Sequence, residues 1–302
     1  MNRILNKLFF LNAWGIAWRK LDDRNDTLPI GNNRKLYYTL PSKDRFYYAD
    51  PFVVEDGLDV YLFAESMDRF RGKGTISVSR FDGKNFGRFT EIVKEDFHLS
   101  YPNVFLHDGN YYMLPECSEI KQIRLYEAVS FPYKWKLSSI LKDDGHSYVD
   151  TSLEIIDDNK YVLYSTYLEG GRNHVKKYNL DMKVKTITEC NAKGTIPERS
   201  AGNPIRIDNN YYRPTQKCSN YYGEAIFIYE YGEDEYSRLK GEITTDSLIL
   251  KPDISNITGT HTINRSKNYE VIDYRFDKFC ISKPWMTLYK KLMLPYLDWA
   301  FI

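Results

Sequence analysis

The chain of 302 residues has no excess of either charge, no clustered cysteines and no long apolar run, and each absence argues against a class of function. With 42 basic and 41 acidic side chains the net charge is +1, so no overall field draws nucleic acid. No basic run is interleaved with aromatic residues as single-strand recognition requires, and nucleic acid is not an expected partner. Cys117, Cys190, Cys218 and Cys280 are widely scattered without a CxxC pair, which argues against a disulfide framework and a structural zinc site and suits reduced cytosolic thiols. No segment approaches the uninterrupted apolar length of a transmembrane helix. The N-terminal run MNRILNKLFFLNAWGIAWRKL is interrupted by Lys7 and Asn12 and has no small-residue cleavage site before Arg19-Lys20, so it does not read as a signal peptide. The expected location is therefore cytoplasmic, and the sequons at Asn25, Asn256 and Asn264 carry little weight. No glycine-rich phosphate loop, serine elbow or HExxH motif occurs, and neither a cofactor nor a metal is expected.

What the chain does have is aromatic residues and a repeat. Tyrosine (26) and phenylalanine (16) are abundant, and no Ala/Leu/Glu-rich stretch of helical period precedes the C-terminus, which points to an all-β fold. The stretch His98 to Glu116 reads as strand, Asp108-Gly109 turn and strand, because glycine accepts the positive φ of a two-residue hairpin turn. Its pattern recurs from Asp50 to Glu65, Asp150 to Ser165 and Ala201 to Gln216, and more weakly from Gly259 to Asp273. The equivalent positions 50, 101, 150, 201 and about 259 are 51, 49, 51 and about 58 residues apart, a period that marks the blades of a β-propeller. Runs such as Gly74 to Ser79, Gln122 to Tyr126 and Ala225 to Tyr229 supply third strands. The expectation is one five-bladed propeller over 1–280, closed by a strand around Trp14 to Trp18, followed by a C-terminal helical segment over 281–302.

In a propeller the first strand of each blade faces the axis, and the antiparallel return brings the end of the second strand back to the same mouth. Asp50 with Glu65, Tyr101 with Glu116, Asp150 with Ser165, Ala201 with Gln216 and His261 with Asp273 should crowd one opening, with His98 close by. Carboxylates with aromatic neighbours suit sugars, and paired carboxylates cleave glycosidic bonds. An acid at a strand end also serves as a turn cap, and a lone histidine such as His261 is commonly structural. Arg199 and Arg213 either lock these acids or hold a substrate phosphate or carboxylate.

The runs ADPF (49–52), HLSYPNVF (98–105), MLPE (113–116), SAGNPI (200–205) and YYRPTQ (211–216), with Tyr222-Gly223, resemble a bacterial family encoded among surface-polysaccharide genes. They also resemble the N-terminal domain of plant glucosamine inositolphosphorylceramide transferase. The resemblance covers about residues 45 to 275, and that family is similar to the five-bladed propellers of glycoside hydrolase family 43. In those hydrolases a first-blade Asp is the base, a third-blade Asp tunes the acid and a fourth-blade Glu is the acid. The resemblance maps the first two onto Asp50 and Asp150, whereas the nearest acid to the third, Glu198, lies about two residues out of register.

Three functions follow as expectations. The first is glycosyl transfer in surface polysaccharide or glycolipid synthesis, with Asp50 as base or charge stabiliser and a nucleotide-sugar or lipid-linked sugar as partner. The second is a glycosidase using Asp50, Asp150 and either Glu198 or Glu116. The third is a non-catalytic glycan-binding module. In the C-terminal segment, Trp285, Leu288, Leu292 and Leu294 near helical spacing suit a helix packed on the outside of the propeller, with Pro295 bending or ending it. Lys290-Lys291 on another face make a membrane surface the sharper alternative.

Overall fold

The computed structural model describes residues 10–281, 283–285 and 287–288, apart from 24, 42–44, 158, 191–195, 197 and 232–236. Four antiparallel four-stranded sheets follow one another along the chain. Blade I is Phe46–Asp56, Asp59–Asp68, Gly74–Arg80 and Thr90–Val93. Blade II is Ser100–His107, Asn110–Cys117, Gln122–Ser130 and Lys134–Asp143. Blade III is Tyr148–Asp157, Lys160–Glu169, Arg172–Asp181 and Thr186–Cys190, and blade IV is Ile205–Ile207, Asn210–Lys217, Ala225–Tyr231 and Ser237–Ile243.

Blade V is assembled from both ends of the chain. Ile263–Arg265 and Tyr269–Phe279 form its inner hairpin, and the N-terminal strand Phe10–Lys20 lies third, paired with Tyr269–Phe279 over its whole length from Phe10 opposite Phe279 to Lys20 opposite Tyr269. Lys35–Thr39 follows, and Leu248–Lys251 adds to it in parallel. The strand expected around Trp14 to Trp18 thus closes the ring. A buried guanidinium fastens this closure, with Arg19 at 2.6 Å from both Asp26 and Glu270.

The inner hairpins form where turn chemistry permits. Asp108 and Gly109 both take positive φ, the left-handed pair that joins His107 to Asn110. A second left-handed site recurs inside the first strand of three blades: Asp50, Tyr101 and Asp150 have φ of 51°, 49° and 47°. At each one the pairing slips, between Ala49 and Phe52, Ser100 and Asn103, and Val149 and Ser152. A bulge leaves its residue outside the ladder and bends the strand, so the backbone N–H of these residues is free to bond elsewhere.

Four of the five seams between blades are apolar among the described residues. Phe52, Ile76, Leu99 and Met113 fill the I–II seam, and Leu114, Leu125, Leu153 and Leu163 the II–III seam. Ile205, Ile226, Ile263 and Tyr274 fill IV–V, and Ile16, Trp18, Leu62 and Val271 fill V–I. The III–IV seam is polar and centres on Arg213, whose guanidinium lies 4.6 Å from the Tyr164 ring centroid.

The C-terminal segment has helical turns at 283–285 and 287–288, with the Thr287 hydroxyl donating to the Lys283 carbonyl at 2.9 Å. Among the described residues of this segment, the apolar side chains expected to pack on the propeller do not do so. Cys280 is buried beside Phe70, but Ile281, Trp285 and Leu288 are 76%, 73% and 46% exposed, because their spacing of four and three places them on one face that turns outward. Lys290, Lys291, Leu292, Leu294 and Pro295 lie outside the described residues.

Gly202 shows how tightly blade IV meets blade V. Its φ is +134°, and a Cβ there would sit 1.9 Å from the Ile263 carbonyl oxygen. Gly202→Ala should therefore cost about 3 kcal/mol or more of stability, read as a lowered urea midpoint; an unchanged midpoint would mean this junction is not under constraint.

Candidate functional site at the propeller mouth

A cavity of about 200 Å³ opens where the inner strands of the blades converge. Asp50, Glu65, Glu116 and Asp150 supply carboxyl groups, His98, His261 and Arg199 face them, and Trp14, Tyr47 and Tyr222 form aromatic walls. A larger cleft of about 620 Å³ at the outer edge of blade V has Asp253 and Asp277 as its charged lining residues and lacks such a convergence.

The bulged residues tie the blades together around this cavity. The Asp50 N–H donates to Asp273 Oδ2 of blade V at 3.3 Å. The Tyr101 N–H donates to Asp50 Oδ2 of blade I at 3.3 Å, and the Asp150 N–H to Glu116 Oε2 of blade II at 3.1 Å. Each left-handed turn thus frees a donor from its own ladder and offers it to a carboxylate of the preceding blade.

On the blade V side, His261 lies between two carboxylates, with Nδ1 2.6 Å from Asp273 and Nε2 3.4 Å from Asp50. Burial opposes its charge, but the Asp273 and Asp50 carboxylates outweigh that and raise its pKa. Asp273 also accepts the backbone N–H groups of His261 and Thr262 at 2.9 and 3.0 Å, and Asp50 accepts the Thr262 hydroxyl at 2.9 Å. The donor atoms of Asp50, His261 and Asp273 lie within 4.8 Å of one another, a spacing that would admit a metal ion. An imidazole whose protonation is favoured by two carboxylates offsets their charge, and both acids are engaged by protein donors, so the trio fits an ion triad better than a metal centre.

On the opposite side, Arg199 Nε donates to Asp150 Oδ2 at 2.6 Å, and Gln216 Nε2 donates to the same oxygen at 2.9 Å. Arg199 Nη2 is 3.8 Å from Glu116, and its guanidinium lies 5.5 Å from the Tyr222 ring centroid. Glu116 accepts the Ser118 hydroxyl at 2.6 Å. Burial, with the Asp150 charge beside it, pushes the Glu116 carboxyl up to about 8 despite Arg199. Burial also raises Glu65 well above the usual carboxyl range, with the Asp50 and Glu116 charges adding to the effect. Asp50 rises less, to about 6, because His261 offsets part of its burial. At neutral pH the site therefore holds Glu116 mostly neutral and Asp50 mostly ionised, with Glu65 shifted in the same direction as Glu116.

His98 keeps Glu65 company. Its Nδ1 accepts the Gly74 N–H at 3.0 Å, which leaves the proton of a neutral ring on Nε2, 3.5 Å from Glu65. Burial lowers the His98 pKa, consistent with that neutral ring.

The remaining sequence candidates are distributed unevenly. Asp273 is fully buried behind His261, and Gln216 is buried behind Asp150, so both support the lining. Tyr101, expected at the opening, is instead fully buried, its hydroxyl 2.8 Å from Ser152 Oγ and its ring edge-on to Phe52. Glu198 and Arg213, expected at the mouth, belong to the III–IV seam, where Arg213 stacks on Tyr164 and the charge of Glu198 faces Arg213 and Tyr229. For Arg213 the reason is parity: side chains alternate along a strand, so Arg213 points opposite to Gln216, whereas Glu198 sits in a bend before the strand.

Trp14, Tyr47 and Tyr222 are aromatic lining residues that sequence reading missed. Trp14 comes from the N-terminal strand and lies 4.1 Å, centroid to centroid, from His261. The signal for its close fit was the YYG run, because Gly223 has φ of +71° and a Cβ there would lie 2.4 Å from the Trp14 ring.

The fold is a five-bladed β-propeller, shared with solved structures of glycoside hydrolases. The catalytic domain of the Coprinopsis cinerea GH62 α-L-arabinofuranosidase is similar at a TM-score of 0.59 and 13% identity, over 87% of this chain and 98% of that one. Zg3597, a family 117 glycoside hydrolase of Zobellia galactanivorans, is similar at 0.53 and 12%, over 90% and 91%. CoXyl43, a GH43 β-xylosidase/α-arabinofuranosidase from a compost metagenome, is similar at 0.52 and 14%, over 77% and 90%. At such identities the likeness establishes the fold alone.

In sequence, residues 38–248 match the family described as glucosamine inositolphosphorylceramide transferase 1, N-terminal; this is more than half of the chain, which belongs to that family. Glucosamine inositolphosphorylceramide transferase 1 of Arabidopsis thaliana is 29% identical over 204 residues, 63% of this chain and 26% of that protein. The Oryza sativa subsp. indica protein of the same name is 28% identical over 199 residues, 61% and 26%. The chain thus matches about a quarter of the length of these curated relatives.

The raised Glu116 carboxyl links stability to pH. The unfolded chain releases this proton near the ordinary carboxyl value, whereas the folded chain holds it to about 8, so its contribution is fully present at low pH and is lost as pH rises through that window. Glu116→Gln keeps an acceptor for the Asp150 N–H and has no proton to lose. Its melting temperature relative to wild type should therefore increase from pH 5 to pH 8 by about several degrees; a pH-independent difference would contradict the assignment.

Proposed function

We propose that the mouth is the sugar-binding and catalytic pocket of a glycosyl-transferring enzyme. The observation that carries this reading is the pairing, in one small cavity, of a carboxyl held neutral at pH 7 with one that is largely ionised, Glu116 and Asp50. Glu116 can donate a proton to a departing oxygen, and Asp50 can accept the proton of an incoming hydroxyl or stabilise positive charge at the anomeric carbon. The cavity suits one sugar ring against Trp14, Tyr47 and Tyr222, with Glu65, His98 and Arg199 offering polar contacts to its hydroxyls. The names of the plant relatives support transfer to a lipid-linked acceptor, and those of the structural neighbours support sugar as the substrate class.

Hydrolysis is the second reading, because the same acid and base would serve a water molecule as well as an acceptor hydroxyl. In both readings the Asp150 charge adds to burial in raising the Glu116 carboxyl, and Arg199 pairs with Asp150. Arg213 is withdrawn from the proposed grip on a phosphate, since it lies in the III–IV seam.

Activity should be bell-shaped in pH, rising as Asp50 ionises near 6 and falling as Glu116 ionises near 8. Turnover is assayed with nucleotide-sugar or lipid-linked donors plus acceptor, and separately with aryl glycosides. Glu116→Gln should lower kcat about 10²-fold or more and remove the alkaline limb, and Asp50→Asn should do the same to the acid limb. Release of sugar from aryl glycosides without an acceptor selects hydrolysis. Sugar binding with no turnover in either assay defeats both enzymatic readings.

A further inference from the structure

The outward face of the C-terminal segment is not explained by the pocket. Ile281, Trp285 and Leu288 share one side of the helical turns and are exposed, and Phe279, at the end of the preceding strand, is 59% exposed. An apolar stripe of this kind on a folded surface marks an interaction site.

Its position is fixed by the propeller. The strand Tyr269–Phe279 passes the mouth at Asp273 and continues six residues beyond it, about 20 Å at the rise of a strand. Its partner strand carries the pocket wall Trp14 and has Phe10 opposite Phe279, so the two strands end side by side. Phe70, just past the pocket residue Met67 in blade I, packs on Cys280. The stripe therefore stands on the face where the pocket opens.

Charge indicates what it meets. Residues 278–297 contain Lys278, Lys283, Lys290 and Lys291 and no acid, and residues 1–12 contain Arg3 and Lys7 and no acid. Both segments are cationic and apolar in sequence, in a chain whose overall charge is nearly balanced, and complement a surface that is anionic outside and apolar within. A second protein would need specific pairing for six cations, whereas a lipid surface needs none. We infer that the mouth face of the propeller docks on an anionic membrane surface through Ile281, Trp285 and Leu288, with the flanking lysines on the headgroups. The inference deepens the reading of the pocket by setting its opening toward the lipid, where a lipid-linked sugar would be presented.

The full chain is sedimented at low salt with vesicles of phosphatidylglycerol and phosphatidylcholine in equal parts, and with phosphatidylcholine alone. The expected result is binding to the anionic vesicles, weakened about tenfold or more by the neutral lipid, by Trp285→Ser with Leu288→Ser, and by Lys290→Glu with Lys291→Glu. Because Trp285 and Leu288 are exposed, their double variant should melt as wild type does, which separates lost docking from lost folding. Failure of the wild type to bind, or equal binding by both double variants, overturns the inference. So does a wild-type dimer in vesicle-free solution that the Trp285/Leu288 variant abolishes, since it assigns the stripe to a second copy. Glu116→Gln should bind vesicles as wild type does, so that failure of the catalytic reading and failure of docking give different results.

Discussion

The propeller mouth depends on a backbone device repeated in three blades. At Asp50, Tyr101 and Asp150 the first strand turns left-handed and slips out of register, which costs on the order of 1 kcal/mol or more at each non-glycine position. The freed N–H donates to a carboxylate of the preceding blade, Asp273, Asp50 and Glu116 in turn. One distortion thus joins neighbouring sheets and holds carboxyl groups away from water. The apolar seams stack the blades, but these bonds fix how the inner strands meet.

Crowding acids in a buried mouth is unfavourable unless charge is balanced or protons are kept. The site uses both remedies, on different sides. His261 stands between Asp50 and Asp273 and lets Asp50 ionise near 6, while Arg199 is committed mainly to Asp150 and leaves Glu116 protonated to about 8. The separation of two carboxyls into an ionised and a neutral form follows from which cation is within reach. It is the arrangement that acid and base chemistry near neutral pH needs.

The architecture was legible in the sequence because each blade repeats its turn and its strand-opening residue at a steady interval. Even the closing strand could be named, since five copies leave one sheet incomplete. Within the site, Asp50, Glu65, Glu116 and Asp150 followed from the hairpin geometry, but residues a step away in parity did not. Arg213 lies three residues before Gln216 on one strand and so points into the seam, and Glu198 reaches the same seam from a bend. Tyr101 shares the backbone position of Asp50 but turns its long ring into the core against Ser152, where an aspartate would be unfavourable. Trp14 and Tyr222 reach the pocket from chain-distant strands and loops, a proximity that only the closed ring creates.

The central claim is that burial keeps Glu116 protonated at neutral pH beside an ionised Asp50. Infrared difference spectra between wild type and Glu116→Gln, taken through a pH series, read that proton directly from the protonated-carboxyl stretch. The account predicts a Glu116 band that is present at pH 7, disappears as pH passes about 8 and is missing in the variant. Absence of that band at pH 7 in the wild type would contradict it.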